Sequence, residues 1–369
     1  MTAPVHGRED ALRALSAATA PTDLFGPLPA DGRTVPPEAT ARYRRLALLL
    51  HPDTARGDGR GAEAFLRLAE LWARYRAAAT GRAGVAEQTL VTRERTYRTS
   101  GEPPLSGHVA DLHPAHHERN GVRHEVLLKV PRSPRDNDLM EAEAASLRRI
   151  REHGPERARA FFPELVESFR HRDPGTGTER RVNVLDRLEG FRGLDEVRRA
   201  FPGGIDPRDA AWMWRRLLVA LGAAAAAGVV HGAVVPEHVL IHPEKHGLVL
   251  VGWCCSVAAG APGSTPHIPA TVPGREEFYP PEVAARRPAR PETDIFMATR
   301  CIEHVTAGRL PRALRAFARG CTLPAPERRP SDGFAVLGEL DEALERLYGP
   351  RRFRPFHMPS PVRPPKPRT

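Results

Sequence analysis

Residues 125–150 read EVLLKVPRSPRDNDLMEAEAASLRRI. The run EVLLKV (125–130) is a β-strand with Lys129 near its end. The run DLMEAEAASLRRI (138–150) is a helix, because Leu139, Ala142, Leu147 and Ile150 recur at roughly helical spacing. Glu143 stands on that helix, four residues before Leu147. Outward from this pair, RVNVLDRLEG (181–190) reads as a strand running into a Gly-containing loop. RDAAWMWRRLLVALGAAAAAGVV (208–230) reads as one long buried helix. HVLIHPEKHGLVLVGW (238–253) reads as a β-hairpin turned by Pro243 to Gly247. Residues ~95–190 therefore alternate short strands with one helix, and the C-terminal half is mostly helical.

Upstream the pattern is purely helical. Pro36 and Pro37 precede EATARYRRLALLL, as suits proline in or just before a first helical turn. Tyr43, Leu46, Ala47 and Leu50 share one face, with Arg42, Arg44 and Arg45 largely off it. Pro52 stops the helix by biasing its predecessor away from helical angles. A polar, Gly-rich loop follows. A second helix begins near Ala62 and buries Phe65, Leu68, Ala69, Trp72 and Tyr75, which makes a small helical hairpin. The organisation is an N-terminal arm or short helix (1–20), a helical segment (21–80), a joining stretch (81–95), a mixed region (95–348) and a Pro- and Arg-rich tail (349–369).

Composition narrows the function. Of 369 residues, 41% are hydrophobic and 27% charged, ordinary for a globular chain. The longest apolar run, Leu217–Val230, is broken by Ala and Gly and falls short of a membrane span. MTAPVHGRED has no apolar core of a secretory signal, and no membrane association is expected. Cys254, Cys255, Cys301 and Cys321 show no CxxC spacing, which argues against a disulfide framework or a zinc ribbon and fits a reduced, cytoplasmic setting. The net charge is +10, of which six charges (Arg351, Arg352, Arg354, Arg363, Lys366, Arg368) lie in the tail with no acid beside them. A basic face for specific nucleic-acid binding is therefore not implied. Only three lysines occur among 55 basic residues, the coding bias of a high-GC genome, so Lys129 stands out. His113, His116 and His117, with His108 and His124 nearby, suggest a metal. No cysteine or paired carboxylate joins them and the stretch reads as an exposed loop, so no metal is expected.

YRRLALLLHPDT, a loop, and AFLRLAELWARY together resemble the J domain of DnaJ-type co-chaperones. The family pattern is matched at Tyr43, Arg44, Arg45, Leu46, Ala47, His51, Pro52 and Asp53, and TDLFGPLP would be its short first helix. The Ala-Asp-Gly-Arg stretch before Pro36 departs a little from the usual spacing. The resemblance implies a chaperone-binding face made of Arg44, Arg45, His51, Pro52 and Asp53. It implies a DnaK-family heat-shock chaperone as partner, whose ATP hydrolysis the domain accelerates.

The region 95–348 resembles the protein kinase fold. VLLKV is similar to the family's VAIK strand, which makes Lys129 the phosphate-gripping lysine and Glu143 its partner. VLDRLEG, with Asp186, is similar to the adenine-holding hinge. HGAVVPEHVLI is similar to the catalytic loop. YPPE resembles the APE motif, DIFMATR from Asp294 the start of the helix after it, and ERRPSDGFAVL a later segment whose Arg329 pairs with Glu282. The fold expected is thus multidomain: a small all-α J-domain hairpin, then an α+β bilobal kinase-like domain with lobes 95–186 and 190–348. The nucleotide-binding residues implied are Gly107, Val109, Lys129, Glu143 and Asp186.

The departures matter most. His231, Gly232 and Ala233 stand for His-Arg-Asp, so a methyl group replaces the proton-accepting aspartate. His238 stands for the metal-binding asparagine, Val235 for the lysine, and Gly252 for the metal-binding aspartate. PLSGHVADL keeps Gly107 and Val109 but not the repeated glycines, which leaves fewer amides near phosphate. Losing one acid–base group costs ~10²–10⁴ in rate, and losing the metal ligand removes the main stabiliser of developing charge. The expectation is a degenerate kinase with no catalytic residue, weak ATP binding and no metal. Lys129 and Glu143 would then also serve as an ion pair holding the helix, and His231 would order the loop backbone. Two functions compete. One is a co-chaperone adaptor whose kinase-like domain binds a client or regulatory protein. The other is a divergent ATP-dependent protein kinase that carries a J domain, and the two missing aspartates favour the first.

Overall fold

The computed structural model describes residues 7–18, 20–29, 35–50, 59–79, 88–172, 177–258 and 266–359. The chain forms two compact units, residues 1–106 with 112–125, and residues 107–111 with 126–369. Both helix and antiparallel sheet are present, and among the described residues no helix is long and apolar enough to cross a membrane.

The first unit starts with four helices: α1 (Arg8–Ala17), α2 (Pro21–Phe25), α3 (Pro37–Leu50) and α4 (Gly59–Ala79). Residues expected to form an arm or short helix thus make α1, whose Ala11 and Leu15 are buried with Leu24, Phe25, Leu46, Leu50 and Leu68. The centre is aromatic. Tyr43 of α3 stacks on Trp72 of α4 with centroids 4.7 Å apart, and Phe25 meets Trp72 edge-on at 5.0 Å. Such pairs add ~0.5–1.5 kcal/mol beyond their area burial. Tyr75 is fully buried and still satisfies its hydroxyl, which donates to Pro27 O at 2.9 Å. Strands β1 (Thr89–Val91), β2 (Thr96–Thr99), β3 (Leu105–Ser106) and β4 (Ala110–Arg119) follow. β2 pairs antiparallel with β1 and with β4, in the register Arg98↔His116 and Thr99↔Ala115. The histidines expected in an exposed loop therefore sit in a strand, and His116 and His117 are 9% and 6% exposed.

The second unit carries β5 (Val122–Pro131) from Val126 onward, α5 (Asn137–His153), β6 (Leu165–Arg172) and β7 (Glu179–Asp186). β7 lies between β5 and β6, with Lys129 opposite Asn183. Next come β8 (Arg192–Gly193), α6 (Leu194–Ala200), α7 (Pro207–Ala226), β9 (Val229–Val230), β10 (Val239–His242), β11 (Gly247–Leu250) and β12 (Val257–Ala258). The expected β-hairpin is β10–β11, closed in the register His242↔Gly247. α7 begins as its sequence dictates, with Pro207 in the first turn and the Asp206 carboxylate accepting Arg208 N–H at 2.8 Å. It is buried on nearly every side, from Trp212 to Ala224. It does not reach residue 230. The Ala227 and Gly228 N–H groups bond back to Ala223 and Ala225, and Val229–Val230 leave as a strand paired with β12. β-branched residues favour that exit.

The remaining helices are α8 (Pro281–Ala284), α9 (Pro291–Thr306), α10 (Arg312–Cys321) and α11 (Gly333–Tyr348). α9 and α11 pack against α7. One buried fork ties this region. The Arg329 guanidinium donates to both Glu282 oxygens, at 2.6 and 3.0 Å, and Thr293 Oγ1 adds a bond to Glu282 at 3.1 Å. Planar bidentate pairing of this kind is the strongest charge-assisted geometry available to arginine.

Candidate functional site

The site grows from the strand and helix that open the sequence. β5 is exposed over its first three residues and buried at Val126, Leu128, Lys129 and Pro131, and α5 buries Met140, Glu143, Ala144, Ser146, Leu147 and Ile150. The two elements bring Lys129 and Glu143 together, with Lys129 Nζ donating to Glu143 Oε1 at 2.6 Å. Glu143 is completely buried. Its other partners are Asn183 Nδ2, which donates to Oε2 at 3.0 Å, and the Trp253 N–H, which donates to Oε1 at 3.2 Å. Lys129 Nζ also donates to Cys254 Sγ at 3.0 Å. Burial disfavours the Lys129 charge, but Cys254 and Glu143 outweigh it and hold its pKa above the ordinary value. Burial pushes the Cys254 thiol up to about 12, so the sulfur accepts this bond as a neutral thiol. An ammonium has three donors, and two are engaged here.

Asn183 is a residue the sequence reading missed. It anchors Glu143 and Met140 O on one side and accepts Ser168 Oγ at 2.8 Å on the other. A lone amide in the otherwise apolar run VNVL was the available signal, since a buried amide must find partners. Cys254, read as small core filler, is core in burial but also touches Lys129.

The second cluster is built around Asp294 of α9. Its carboxylate accepts the His231 and Gly232 N–H groups at 2.6 and 2.9 Å. Burial raises its pKa to about 7 against these two donors. His231 Nδ1 accepts Ala233 N–H at 3.1 Å while Nε2 donates to Val251 O at 3.0 Å. Both nitrogens are spent on backbone, and burial pushes the ring down to about 3, so it stays neutral. His231 thus orders the loop. Ala233 is fully buried and offers only a methyl group.

His238 and Gly252 are coupled. His238 Nδ1 donates to Ala233 O at 2.8 Å, which sets the ring against Gly252. Gly252 has φ +81°, and a Cβ placed there would lie 2.6 Å from the His238 ring. No larger residue fits at 252 while the imidazole keeps this position. Burial lowers the His238 pKa to about 4, partly offset by the Ala233 hydrogen bond.

Other residues near these clusters have local partners. Gly107 O and Val109 O bond to Arg132, at 2.5 Å from Nη2 and 3.1 Å from the backbone N–H, and Arg132 also pairs with Asp111 at 2.9 Å. Asp186 Oδ1 accepts Glu164 N–H at 2.6 Å, and burial raises its pKa. The carboxylate of Glu237 takes the Arg275 guanidinium at 2.8 Å; burial pushes that carboxyl up, but Arg275 outweighs it and the pKa falls. Glu276 is turned to Gly274 N–H at 3.0 Å, and Glu277 is exposed. In the first unit Arg44 and Arg45 are exposed on α3, on the side away from buried Leu46 and Leu50. His51, Pro52 and Asp53 lie outside the described residues. Among the described residues no three His, Cys, Asp or Glu side chains converge to hold a metal ion. No protein-family model matches the chain.

The two clusters generate two tests. Lys129→Met leaves the Glu143 carboxylate buried without its cation, which costs about 3–5 kcal/mol by denaturant unfolding. Lys129→Met with Glu143→Leu removes both charges and recovers a large part of that loss. A Lys129→Met variant as stable as the parent contradicts the buried pairing. The second test is acid stability. An unfolded histidine titrates near 6.5 and His238 in the folded chain near 4. Between these values the unfolded state binds more protons, so stability falls as pH drops from 6.5 towards 4 and is constant in this respect above 6.5. His238→Asn keeps a donor for Ala233 O and removes the titration. Its unfolding free energy should fall less steeply over that window, by up to about 1.4 kcal/mol per pH unit. Parallel slopes for parent and variant exclude the assigned titration.

Proposed function

We propose that the chain is a J-domain-type co-chaperone adaptor. In this reading its N-terminal helices engage a DnaK-family chaperone, and its second unit is a degenerate, kinase-like binding domain for a client or regulatory protein. The observation that carries the second half is the state of residues 233, 238 and 252. Ala233, which the kinase resemblance aligns with the base, is a fully buried methyl group, and the His238 ring fills the space beside Gly252, which the resemblance aligns with the metal-binding carboxylate. The nearby carboxylates are turned to other partners, Glu237 to Arg275 and Asp186 to a backbone amide. The Lys129–Glu143 pair, the Asp294 clamp and the Glu282–Arg329 fork are the contacts that the kinase resemblance implies for a scaffold. With one donor of Lys129 unspent, ATP binding is weak and needs no metal ion. The co-chaperone half rests on the HPD sequence behind a helix with exposed Arg44 and Arg45, a charged face suited to steering an acidic partner.

One incubation tests both halves. The full chain is mixed with a DnaK-type chaperone and γ-labelled ATP, with Mg²⁺ or Mn²⁺, and released phosphate and protein-bound label are both measured. Phosphate release should rise with the parent chain and not with His51→Gln, while no label enters protein. Equal stimulation by parent and His51→Gln overturns the co-chaperone reading. Label transfer that depends on the chain promotes the kinase alternative.

A further inference from the structure

Residues 351–359 of the Pro- and Arg-rich tail are seated on the second unit as a strap. They form no helix or strand, and among the described residues no backbone–backbone hydrogen bond joins them to the rest of the chain. Side chains hold them instead. Phe356 is 4% exposed and belongs to the core, with its ring 5.7 Å from Phe201, just after α6, and 6.2 Å from Trp212 of α7. Arg354 Nε pairs with Asp209 at 2.7 Å, and its Nη2 reaches Asp206 at 3.4 Å. Phe353 lies 4.6 Å from the His246 ring, which in turn stacks on Trp212 at 4.3 Å. The turn of the β10–β11 hairpin presents that imidazole, with His246 at φ 52°.

The seat selects what it holds. Asp209 is more than nine-tenths buried, and burial raises its pKa while Arg354 draws it down. The other charges near it are Asp206, of like sign, and Arg208, whose guanidinium is spent on both Asp206 oxygens at 3.1 and 2.8 Å. Asp209 therefore needs a cation brought to it, because a buried carboxylate left without one is costly. An arginine side chain brings that charge and reaches both acids. The strap also leaves apolar surface uncovered. Phe353 is 71% exposed despite its contact with His246, and the other exposed large apolar side chains of the described second unit are Leu347 and Tyr348, at the end of α11 just before the strap. Tyr348 lies within electrostatic reach of Asp206 and Arg208. Apolar surface concentrated in one place marks interaction sites, and aromatic and arginine side chains dominate their energetics.

We propose that this seat is a peptide-docking site for an arginine flanked by aromatic residues, and that the chain's own Phe353-Arg354-Pro355-Phe356 holds it until a partner segment of the same pattern displaces the strap. An intramolecular strap competes at an effective concentration of about millimolar, so a partner prevails by also covering Leu347 and Tyr348. The test is fluorescence anisotropy of a labelled peptide with the sequence of residues 351–358. It is titrated with the full chain and with a full-length Arg354→Ala/Phe356→Ala variant, whose strap is released. The variant should bind the peptide at least about tenfold tighter than the parent. Adding Asp209→Asn to the variant, or Arg354→Ala to the peptide, should weaken binding by at least about tenfold, as loss of a charge-assisted bond implies. If circular dichroism shows the double variant unfolded, Arg354→Ala alone, which keeps Phe356 in the core, takes its place with the same order of affinities expected. Sedimentation of the parent tests for a second copy as occupant: a dimer that the released variant does not form assigns the seat to another chain's strap and overturns a foreign partner. No peptide binding by the variant at millimolar concentration, equal or tighter binding by the parent, or no loss with Asp209→Asn overturns the proposal.

Discussion

The Glu143 carboxylate is the point on which the second unit's site depends. It is fully buried, where an uncompensated charge is costly, and it avoids that cost by taking three donors from three places. Lys129 comes from β5, Asn183 from β7 and the Trp253 N–H from the turn after β11. Helix, sheet and turn are therefore fixed by one side chain. Ser256 extends the tie, its Oγ hydrogen-bonded to Ser146 Oγ on α5 at 2.8 Å. Removing any one donor leaves charge behind, so the parts hold or fail together.

Asp294 performs the equivalent task for the loop at 231–238. By accepting two consecutive backbone N–H groups it shapes the His231–Ala233 turn, which in turn presents Ala233 O to His238. The His238 ring then lies over Gly252. Ala233, His238 and Gly252 are thus linked by one chain of contacts. Gly252 is compatible with His238, and His238 is held by the backbone of Ala233. A carboxylate placed at 252 alone would meet an imidazole.

Periodic segments were legible from sequence, and contacts made by tertiary pairing were not. α5 and the β10–β11 hairpin follow from apolar spacing and from the Pro243–Gly247 turn. The helix expected over 208–230 ends at Ala226 because Val229–Val230 find a partner in β12, which no local signal announces. HPAHHE has no apolar alternation, and it becomes a strand through pairing with neighbouring strands, β2 among them. Lys129 and Glu143 were legible as a pair. Asn183 and Cys254, which complete their surroundings, carry ordinary residue types whose roles emerge only when β7 and the 253–255 turn close around Lys129 and Glu143. The face with Arg44 and Arg45 was readable directly from helical spacing.

In the proposed reading, His238 and Gly252 together exclude a metal–nucleotide complex. Electron paramagnetic resonance of Mn²⁺ with ATP measures this directly, because bound and free Mn²⁺ differ in signal. Parent chain and Gly252→Asp should leave the metal–nucleotide signal unchanged, the second because the ring obstructs the new carboxylate. Gly252→Asp with His238→Asn clears the space and supplies two oxygen ligands of the kind such metals prefer, so it alone should bind Mn²⁺–ATP. Saturable Mn²⁺–ATP binding by the parent chain, or by Gly252→Asp alone, would contradict it.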